Sequence, residues 1–448
     1  MNLDYSKIAV LGFSPRTGLE VVKYLSKFDI KIIISDAKDK NELNHLISRV
    51  NNDQIEFDFG GNGEKILEAE LIILSPGVPY DLDILKRARL KGIETISEIE
   101  FAYRQTQAEI IAVTGTNGKT TTTELIGEML NNFERKVIIA GNIGIPFISV
   151  VNDLNKDDLV VLELSSFQLE AVKEFKADIS LYLNYSPDHL DRHHSEKNYK
   201  KAKKNIFSNQ SSDDYALLNF DDQYLYSLHK NLEPKVLGIA KKNKKADLVL
   251  DKKQAFYKKD QIKLLDFSRI NLPGLHNKMN IAFAALAAYL VGQDRDKIQK
   301  AAQNYQLQSH RMERIKNSKD YLIIDDSKAT NPDSAIKAIK SLQKDLILIA
   351  GGQDRKADFK KFSKEIKNSV KILILLGETT EKIYSSLKDT DIEIIKVDTM
   401  KEAAEIGAAR LTEDMALLLS PGCPSWDMFS SYKERGEIFQ KTVLKNIN

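Results

Sequence analysis

The sequence predicts an α/β protein of three consecutive domains, each a mostly parallel sheet with flanking helices. Three observations carry this expectation. Apolar runs of strand length recur along the whole chain, separated by segments of helical spacing. Many of these runs end in loops bearing Gly, Ser or Asp, which is where open parallel sheets present their ligand groups. The length of 448 residues corresponds to about three domains. The boundaries are expected at 1–105, 106–308 and 309–448.

In the first domain, Ile8 to Leu11 reads as a strand ending at Gly12, and Leu19 to Phe28 as a helix with Leu19, Val22 and Leu25 on one side. Ile30 to Ser35 is a second strand with Asp36 at its end, and Leu71 to Leu74 another, followed by Ser75-Pro76-Gly77. The pattern is doubly wound and Rossmann-like, and Asp36 is placed for a ribose or base contact. The turn from Gly12 to Gly18 is not G-x-G-x-x-G, and Pro15 lacks an N–H where a pyrophosphate would want one, which argues against an NAD site.

The central domain opens on IIAVTGTNGKTTTT, Ile110 to Thr123. Ile110 to Val113 read as a buried strand, Gly115 and Gly118 as a tight loop, and Lys119-Thr120 as the start of a helix. Phosphate oxygens need this order: glycines allow close backbone approach, loop N–H groups and the helix N-terminus face the anion, and the lysine adds a full charge. Thr116, Asn117 and Thr121 complete the loop, and Thr120 is placed to ligate Mg²⁺ through its hydroxyl. Only Thr116 and Asn117 separate Gly115 from the Gly-Lys pair, so the loop is shorter than a Walker A motif. A nucleoside triphosphate is expected here.

Further on, Leu159 to Leu164 is a strand carrying Glu163, a natural Mg²⁺ ligand beside phosphates. Ile179 to Leu183 is another strand, ending before the run Asn184 to His194. That run holds three of the seven histidines. It reads as a solvated charged loop, a zinc site, or a phosphate-and-Mg²⁺ loop, the last fitting the neighbouring triphosphate site best. Asp247 to Lys263 reads as a polar hairpin region, and an Ala-rich helix follows Asn280.

The third domain begins near His310. Tyr321 to Ile324, Leu346 to Ile349, Ile372 to Leu376, Ile392 to Val397 and Ala416 to Leu419 read as strands of another parallel sheet. The loops after them carry Asp325-Asp326-Ser327-Lys328, Gly351 to Arg355, and Ser420-Pro421-Gly422.

Composition excludes several classes. Sixty-six basic and 64 acidic side chains leave a net charge of +2, which gives no electrostatic case for nucleic acid or membrane binding. The one cysteine, Cys423, excludes an intrachain disulfide and a Cys-based zinc site. The start, MNLDYSKIAVLGF, lacks the features of a signal peptide, and no apolar run reaches about 18 residues. A cytoplasmic protein is expected.

Nine motifs follow one another along nearly the whole chain: TGTNGKT from Thr114, GNIG from Gly141, LELSSFQLE from Leu162, DHLDRH from Asp188, YKKAK from Tyr199, HNKMN from His276, HR at His310, DDSKATNP from Asp325 and SPGCPSWDMF from Ser420. In these the chain resembles the Mur ligase family, and within it the branch adding D-glutamate to UDP-N-acetylmuramoyl-L-alanine in peptidoglycan synthesis. The resemblance implies ATP-dependent amide ligation through an acyl phosphate, with two Mg²⁺ sites, small-molecule substrates and a monomeric enzyme. It implies that Lys119 holds the β/γ-phosphates, that Thr120 and Glu163 support Mg²⁺, and that His189 stands beside the second Mg²⁺ and the acyl phosphate. It matches Lys203 to a lysine carbamylated by CO₂, although sequence alone makes Lys203 an ordinary surface lysine.

By the same resemblance, Asn142 and Gln168 contact the muramoyl substrate, and Asn277 and Asn280 belong to the nucleotide site. Arg311 and Asp326 would hold ATP from the third domain, so the site closes only when domains meet. Arg16, Thr17, Asp36, Ser75 and Gly77 would form the UDP site. Lys328, Thr330, Arg355, Ser425 and Tyr432 match the D-glutamate site. Some residues depart from the pattern: Arg355 stands where Lys is common and is followed by Lys356, Pro424 and Trp426 flank Ser425, and Ser14-Pro15 lengthen the first turn. A different Mur-type or folylpolyglutamate-type ligase, and a nucleotide-switched binding module, are the competing readings.

Overall fold

The computed structural model describes residues 3–50, 52–61, 63–272, 274–306, 309–342, 344–355 and 357–447. Lys356 and the expected boundary at residue 308 lie outside the described residues. Among those residues the strands form three sheets.

The first sheet comprises β1 (Lys7–Leu11), β2 (Lys31–Asp36), β3 (Ile55–Phe59), β4 (Leu71–Leu74) and β5 (Glu94–Ser97), ordered β3-β2-β1-β4-β5 and all parallel. The chain reverses its winding at β1, so the turn after β1 stands at the switch point where such sheets bind ligands. Ile8, Val10, Ile32 and Ile34 lie in a core also containing Ile110, Val160 and Leu162 of the second sheet, so these two sheets share one apolar interior.

The second sheet comprises β6 (Glu109–Thr114), β7 (Val137–Gly141), β8 (Leu159–Glu163), β9 (Ile179–Tyr182), β10 (Tyr215–Asn219), β11 (Lys235–Ala240), β12 (Leu248–Leu250), β13 (Gln254–Tyr257) and β14 (Ile262–Asp266). Its order is β14-β13-β12-β11-β10-β9-β6-β8-β7. The strands from β7 to β12 pair in parallel, and the expected hairpin region adds β13 and β14 antiparallel at one edge.

The third sheet runs β15 (Glu313–Arg314), β16 (Leu322–Asp325), β20 (Met415–Leu419), β17 (Asp345–Ala350), β18 (Val370–Leu375) and β19 (Glu393–Lys396). It is parallel except for the short edge strand β15. Ile347, Leu417 and Leu419 enter one core and Leu346, Leu348 and Leu418 another, so both faces are covered, as a parallel sheet requires.

Contacts divide the chain into two compact units that do not follow chain order. One takes residues 1–185, 197–271 and 278–305; the other takes 186–196, 272–277 and 306–448. The first and second sheets therefore form one body, while the His-rich run after β9 belongs to the body of the third.

Within the first body, the helix Glu98–Tyr103 joins the two sheets through buried carboxylates. Glu100 accepts from the N–H groups of Lys173, Glu174 and Phe175 and from Arg104 Nε. Glu98 Oε1 accepts from Ile148 N–H at 2.8 Å. Burial pushes the Glu98 carboxyl up to about 7. A folded-state value above the unfolded one means that stability is lost as pH rises from about 4.5 through about 7. Glu98→Gln, which keeps an acceptor for Ile148, should be near neutral at pH 5 and stabilising by up to about 3 kcal/mol at pH 8. Melting curves of both proteins across that range check this; a pH-independent difference would contradict it.

Candidate active site

Strand register assembles the first part of the site. Val113 of β6 and Gly141 of β7 both pair with Glu163 of β8, and Thr114 pairs with Tyr182 of β9. The segments leaving these four strands therefore emerge side by side. They are the loop Gly115–Gly118, Asn142, Glu163 itself, and Leu183-Asn184.

The loop is held from several sides. Thr116 N–H donates to Asn184 O, and Asn117 N–H to Asn184 Oδ1 at 2.9 Å, while Asn184 Nδ2 returns a bond to Asn117 O. Gly118 caps the helix Lys119–Met129 with φ +86°, and a Cβ there would sit 2.5 Å from Asn280 Oδ1. Only glycine suits that conformation and that proximity. Asn280 thus packs directly on the phosphate loop. Lys119 Nζ donates to the carbonyls of Gly115 and Thr116, so its charge stays over the loop. Thr121 is buried in the first turn, whereas Thr120 is partly exposed.

Glu163 is buried, and Oε1 accepts from Asn142 Nδ2 at 2.7 Å. Its Oε2 is shielded from solvent and has no hydrogen-bond partner among the described residues. A buried carboxylate oxygen left bare is costly unless something else neutralises it. A hard divalent cation beside phosphates is such a group, so the residues present fit Mg²⁺ at Glu163.

Lys203 is not the surface lysine that its sequence context suggests. Its relative exposure is 1%, because Tyr199, Ala202 and Lys203 form the buried face of the helix Glu196–Lys204. Nζ donates to Gly115 O at 2.8 Å, reaches Thr114 Oγ1 at 3.4 Å, and lies 5.0 Å from the centre of the Tyr199 ring. Tyr199 in turn bonds Thr116 Oγ1 through its hydroxyl.

Arg16 reaches Gly141 O and Asn142 O with its two terminal nitrogens, at 2.8 and 2.9 Å. Thr17 N–H is capped by Ser14 Oγ. Asp36 accepts from Phe13 N–H and Lys38 N–H, which shapes the turn after β1. Ser75 Oγ donates to Gly12 O, and Ser75 and Gln168 line one cleft with Pro76, Val78 and Tyr80. Gln168 also closes a capping box on Ser165. Gly77 faces open space.

The second body gathers the remaining candidates on its own sheet edge. Asp325 of β16 and Ile349 of β17 both pair with Leu419 of β20, so the loops after the three strands are neighbours. Asp326 is buried, accepting from Ser420 Oγ and Met312 N–H, and desolvation pushes its carboxyl up to about 7. Arg311 is the cation that opposes this rise. His310 bonds Asp325 at 2.7 Å, which raises the imidazole above its ordinary value, and its carbonyl accepts from Lys328 N–H.

Lys328 Nζ stands 5.7 Å from the Tyr432 ring centre, Thr330 N–H donates to Lys328 O, and Ser425 is buried. Arg355 Nη1 donates to His189 Nδ1 at 3.2 Å, and its guanidinium lies over Trp426. His189 has φ +54°, so the backbone turns sharply there. Asn331 Nδ2 bonds Asp188 Oδ2, adding a second tie on the same run. Asn277 is buried in the first turn of the helix Leu275–Leu290. Cys423 is buried, with its thiol pushed up to about 12 by desolvation.

Three residues important to this geometry are absent from the candidate set. Asn184 locks the phosphate loop, and the only sequence signal for it is its place directly after a strand. Tyr199 was visible only as part of YKKAK. Arg435, buried in the helix Tyr432–Ile447, donates to Ser327 Oγ, Ser327 O and Cys423 O and so fastens the loops holding Lys328 and Ser425. Burial holds its guanidinium down to about 10. Nothing in Lys433-Glu434-Arg435 marks that arginine from its neighbours.

Comparison with known proteins gives the family of the chain. Family models described as Mur ligase MurD-like N-terminal domain, Mur ligase middle domain, and Mur ligase glutamate ligase domain match residues 6–97, 113–288 and 310–423. A protein of Thermoanaerobacter sp. (strain X514) named UDP-N-acetylmuramoylalanine--D-glutamate ligase is 41% identical over 452 residues, covering 99% of each chain. One of the same name from Clostridioides difficile (strain 630) is 36% identical with the same coverage. Among solved structures, the UDP-N-acetylmuramate-alanine ligase of Thermotoga maritima superposes with a TM-score of 0.61 at 18% identity, covering 97% of this chain and 98% of that one. The MurF ligase of Thermotoga maritima in complex with ADP gives 0.60 at 18% identity, with 93% and 95% covered. These two show the fold. With full-length relatives well above 30% identity, the chain belongs to the Mur ligase family.

Proposed function

We propose that this protein is an ATP-dependent amide ligase joining D-glutamate to UDP-N-acetylmuramoyl-L-alanine in peptidoglycan precursor synthesis, with ADP and phosphate as the other products. The observation that carries this reading is the phosphate loop in register with Glu163 and its bare Oε2. The relatives' names supply the acceptor and the amino acid.

The chemistry follows from the poor reactivity of a carboxylate toward amines. Its oxygen attacks the γ-phosphorus of ATP, the bond to the β-phosphate oxygen breaks, and an acyl phosphate and ADP result. The glutamate amine then attacks the acyl carbon, loses a proton, and expels phosphate. Both steps gather negative charge, so fixed donors dominate catalysis. Loop N–H groups and Lys119 serve the β- and γ-phosphates, with Asn277, Asn280, Arg311 and Asp326 holding the rest of the nucleotide. Thr120, Glu163 and His189 are the residues that would hold Mg²⁺, which when bound neutralises phosphate charge.

Lys203 is assigned the carbamate role. In the ammonium form it satisfies itself on Gly115 O. Its reaction with CO₂ would give a carbamate. The resulting anion would exchange that carbonyl for donors and cations. Arg16, Thr17, Asp36, Ser75, Gly77, Asn142, Gln168 and His189 are assigned to the nucleotide-sugar substrate. Lys328, Thr330, Arg355, Ser425 and Tyr432 are assigned to the amino acid, whose two carboxylates need two cationic or donor-rich pockets. No described helix is long and apolar enough to cross a membrane. The substrates of this reading place the enzyme in the cytoplasm, and it works as a monomer.

Phosphate release should depend on the UDP-sugar acid and D-glutamate together, and hydroxylamine should trap a hydroxamate. Stimulation by L-alanine, lysine or diaminopimelate instead would reassign the amino acid, and absence of hydroxamate would favour the nucleotide switch. Lys119→Ala should lower turnover at least about 10²-fold with an unchanged melting curve. Lys203→Ala should lose activity and regain part of it with added short carboxylic acids; a wild-type rate in that variant rejects the carbamate.

A further inference from the structure

Trp426 is the chain's one tryptophan, and its relative exposure is 64%. An indole so exposed contributes little to a core. The residues flanking it are nevertheless held by hydrogen bonds. Ser425 O accepts from Met428 and Phe429 N–H, Pro424 O accepts from Gln353 N–H, and Asp427 Oδ2 accepts from Glu378 N–H. Arg355 Cζ lies over the ring, 4.7 Å from its centroid.

Arg355 is itself unusual. The neighbouring carboxylate of Asp354 is taken by Lys382, at 3.1 Å from both oxygens. Among the described residues Arg355 pairs with no carboxylate. It gives one N–H to His189 Nδ1. Arginine has no acceptor, so Nδ1 is the accepting atom of this contact. The guanidinium therefore sits over an aromatic ring with one nitrogen on a histidine, and among the described residues its other N–H groups have no hydrogen-bond partner.

We propose that Trp426 is a positioning residue for amino-acid binding, holding the Arg355 guanidinium in the plane from which its free N–H groups take a carboxylate of the incoming glutamate as a fork. This rests on the ligase reading above. A planar guanidinium stacks on an indole and presents two parallel donors, whereas a lysine ammonium has no plane to hold. The arginine and the tryptophan thus form one device, in which the ring supplies the orientation and the guanidinium the charge.

Kinetics with the full chain test it. Trp426→Ala and Trp426→Leu should raise KM for D-glutamate about 3- to 30-fold, leaving kcat and the KM values for ATP and the UDP-sugar acid within about twofold. Trp426→Phe, which restores a ring face, should recover most of the loss. Arg355→Lys should raise the same KM, and adding Trp426→Ala to it should cost little more. Because the chain has one tryptophan, its fluorescence should change saturably as D-glutamate is added to enzyme holding ADP and the UDP-sugar acid. An unchanged KM in Trp426→Ala, a rise shared by all three substrates, or additive double-mutant effects would each overturn the proposal. Wild-type enzyme lacking any D-glutamate-dependent phosphate release would overturn the ligase reading itself, a result distinct from those three.

Discussion

Strand register in a buried parallel sheet is the constraint from which the site follows. Val113, Glu163 and Gly141 stand level across β6, β8 and β7, so a phosphate loop, a carboxylate and an asparagine leave the sheet at one height. The register cannot slip by one residue without turning every buried Val, Ile and Leu to the opposite face. A slip in β8 would replace Glu163 with Leu162 or Leu164. The third sheet uses the same device: β16, β20 and β17 end together, and Asp326, Ser420 and the glycines before Arg355 emerge in a row. Apolar core packing is thus what positions the polar chemistry, although no core residue takes part in it.

The polar groups so positioned are largely removed from water. Glu163, Lys203, Asp326 and Arg435 are all nearly inaccessible. Each would be costly alone, and each is met by specific partners: Asn142 for Glu163, Gly115 O for Lys203, Ser420 for Asp326, and three acceptor contacts for Arg435. Dipoles fixed in advance in a poorly solvated setting need little rearrangement when a phosphoryl group arrives, and electrostatic catalysis requires that property.

The sheets were legible because parallel strands buried on both faces are near-continuous apolar runs, as in Ile32-Ile33-Ile34 and Leu346 to Ala350. The phosphate loop was legible because glycine spacing and the Lys-Thr pair carry their own mechanism. Lys203 was not. It is one of five lysines in Glu196–Lys204, and the buried i, i+3, i+4 face of that helix ends on a charged residue, which hides the periodicity. The short antiparallel strand β15 gave no pattern to read. Arg16, expected in the UDP site, was illegible in its observed bonding because those partners are backbone carbonyls 125 and 126 positions away.

That last contact ties the first sheet to the chemistry of the second. Arg16 holds the carbonyls of Gly141 and Asn142, and the Asn142 side chain holds Glu163 Oε1. Gly141 is where the peptide must turn, with φ +101°, and a Cβ there would lie 2.5 Å from Glu163 O, so the segment has little room to adjust independently. The orientation of the carboxylate is consequently set by a hydrogen-bonded sequence that begins in the turn after β1. Arg16 bonds there to neutral carbonyls. An anion of higher charge density would compete for the same guanidinium more strongly than they do. Asn142 would still be coupled to Glu163 twice, its side chain on Oε1 and its own N–H on the backbone carbonyl. Arg16 and Glu163 are therefore linked through one peptide segment, and neither can be described without the other.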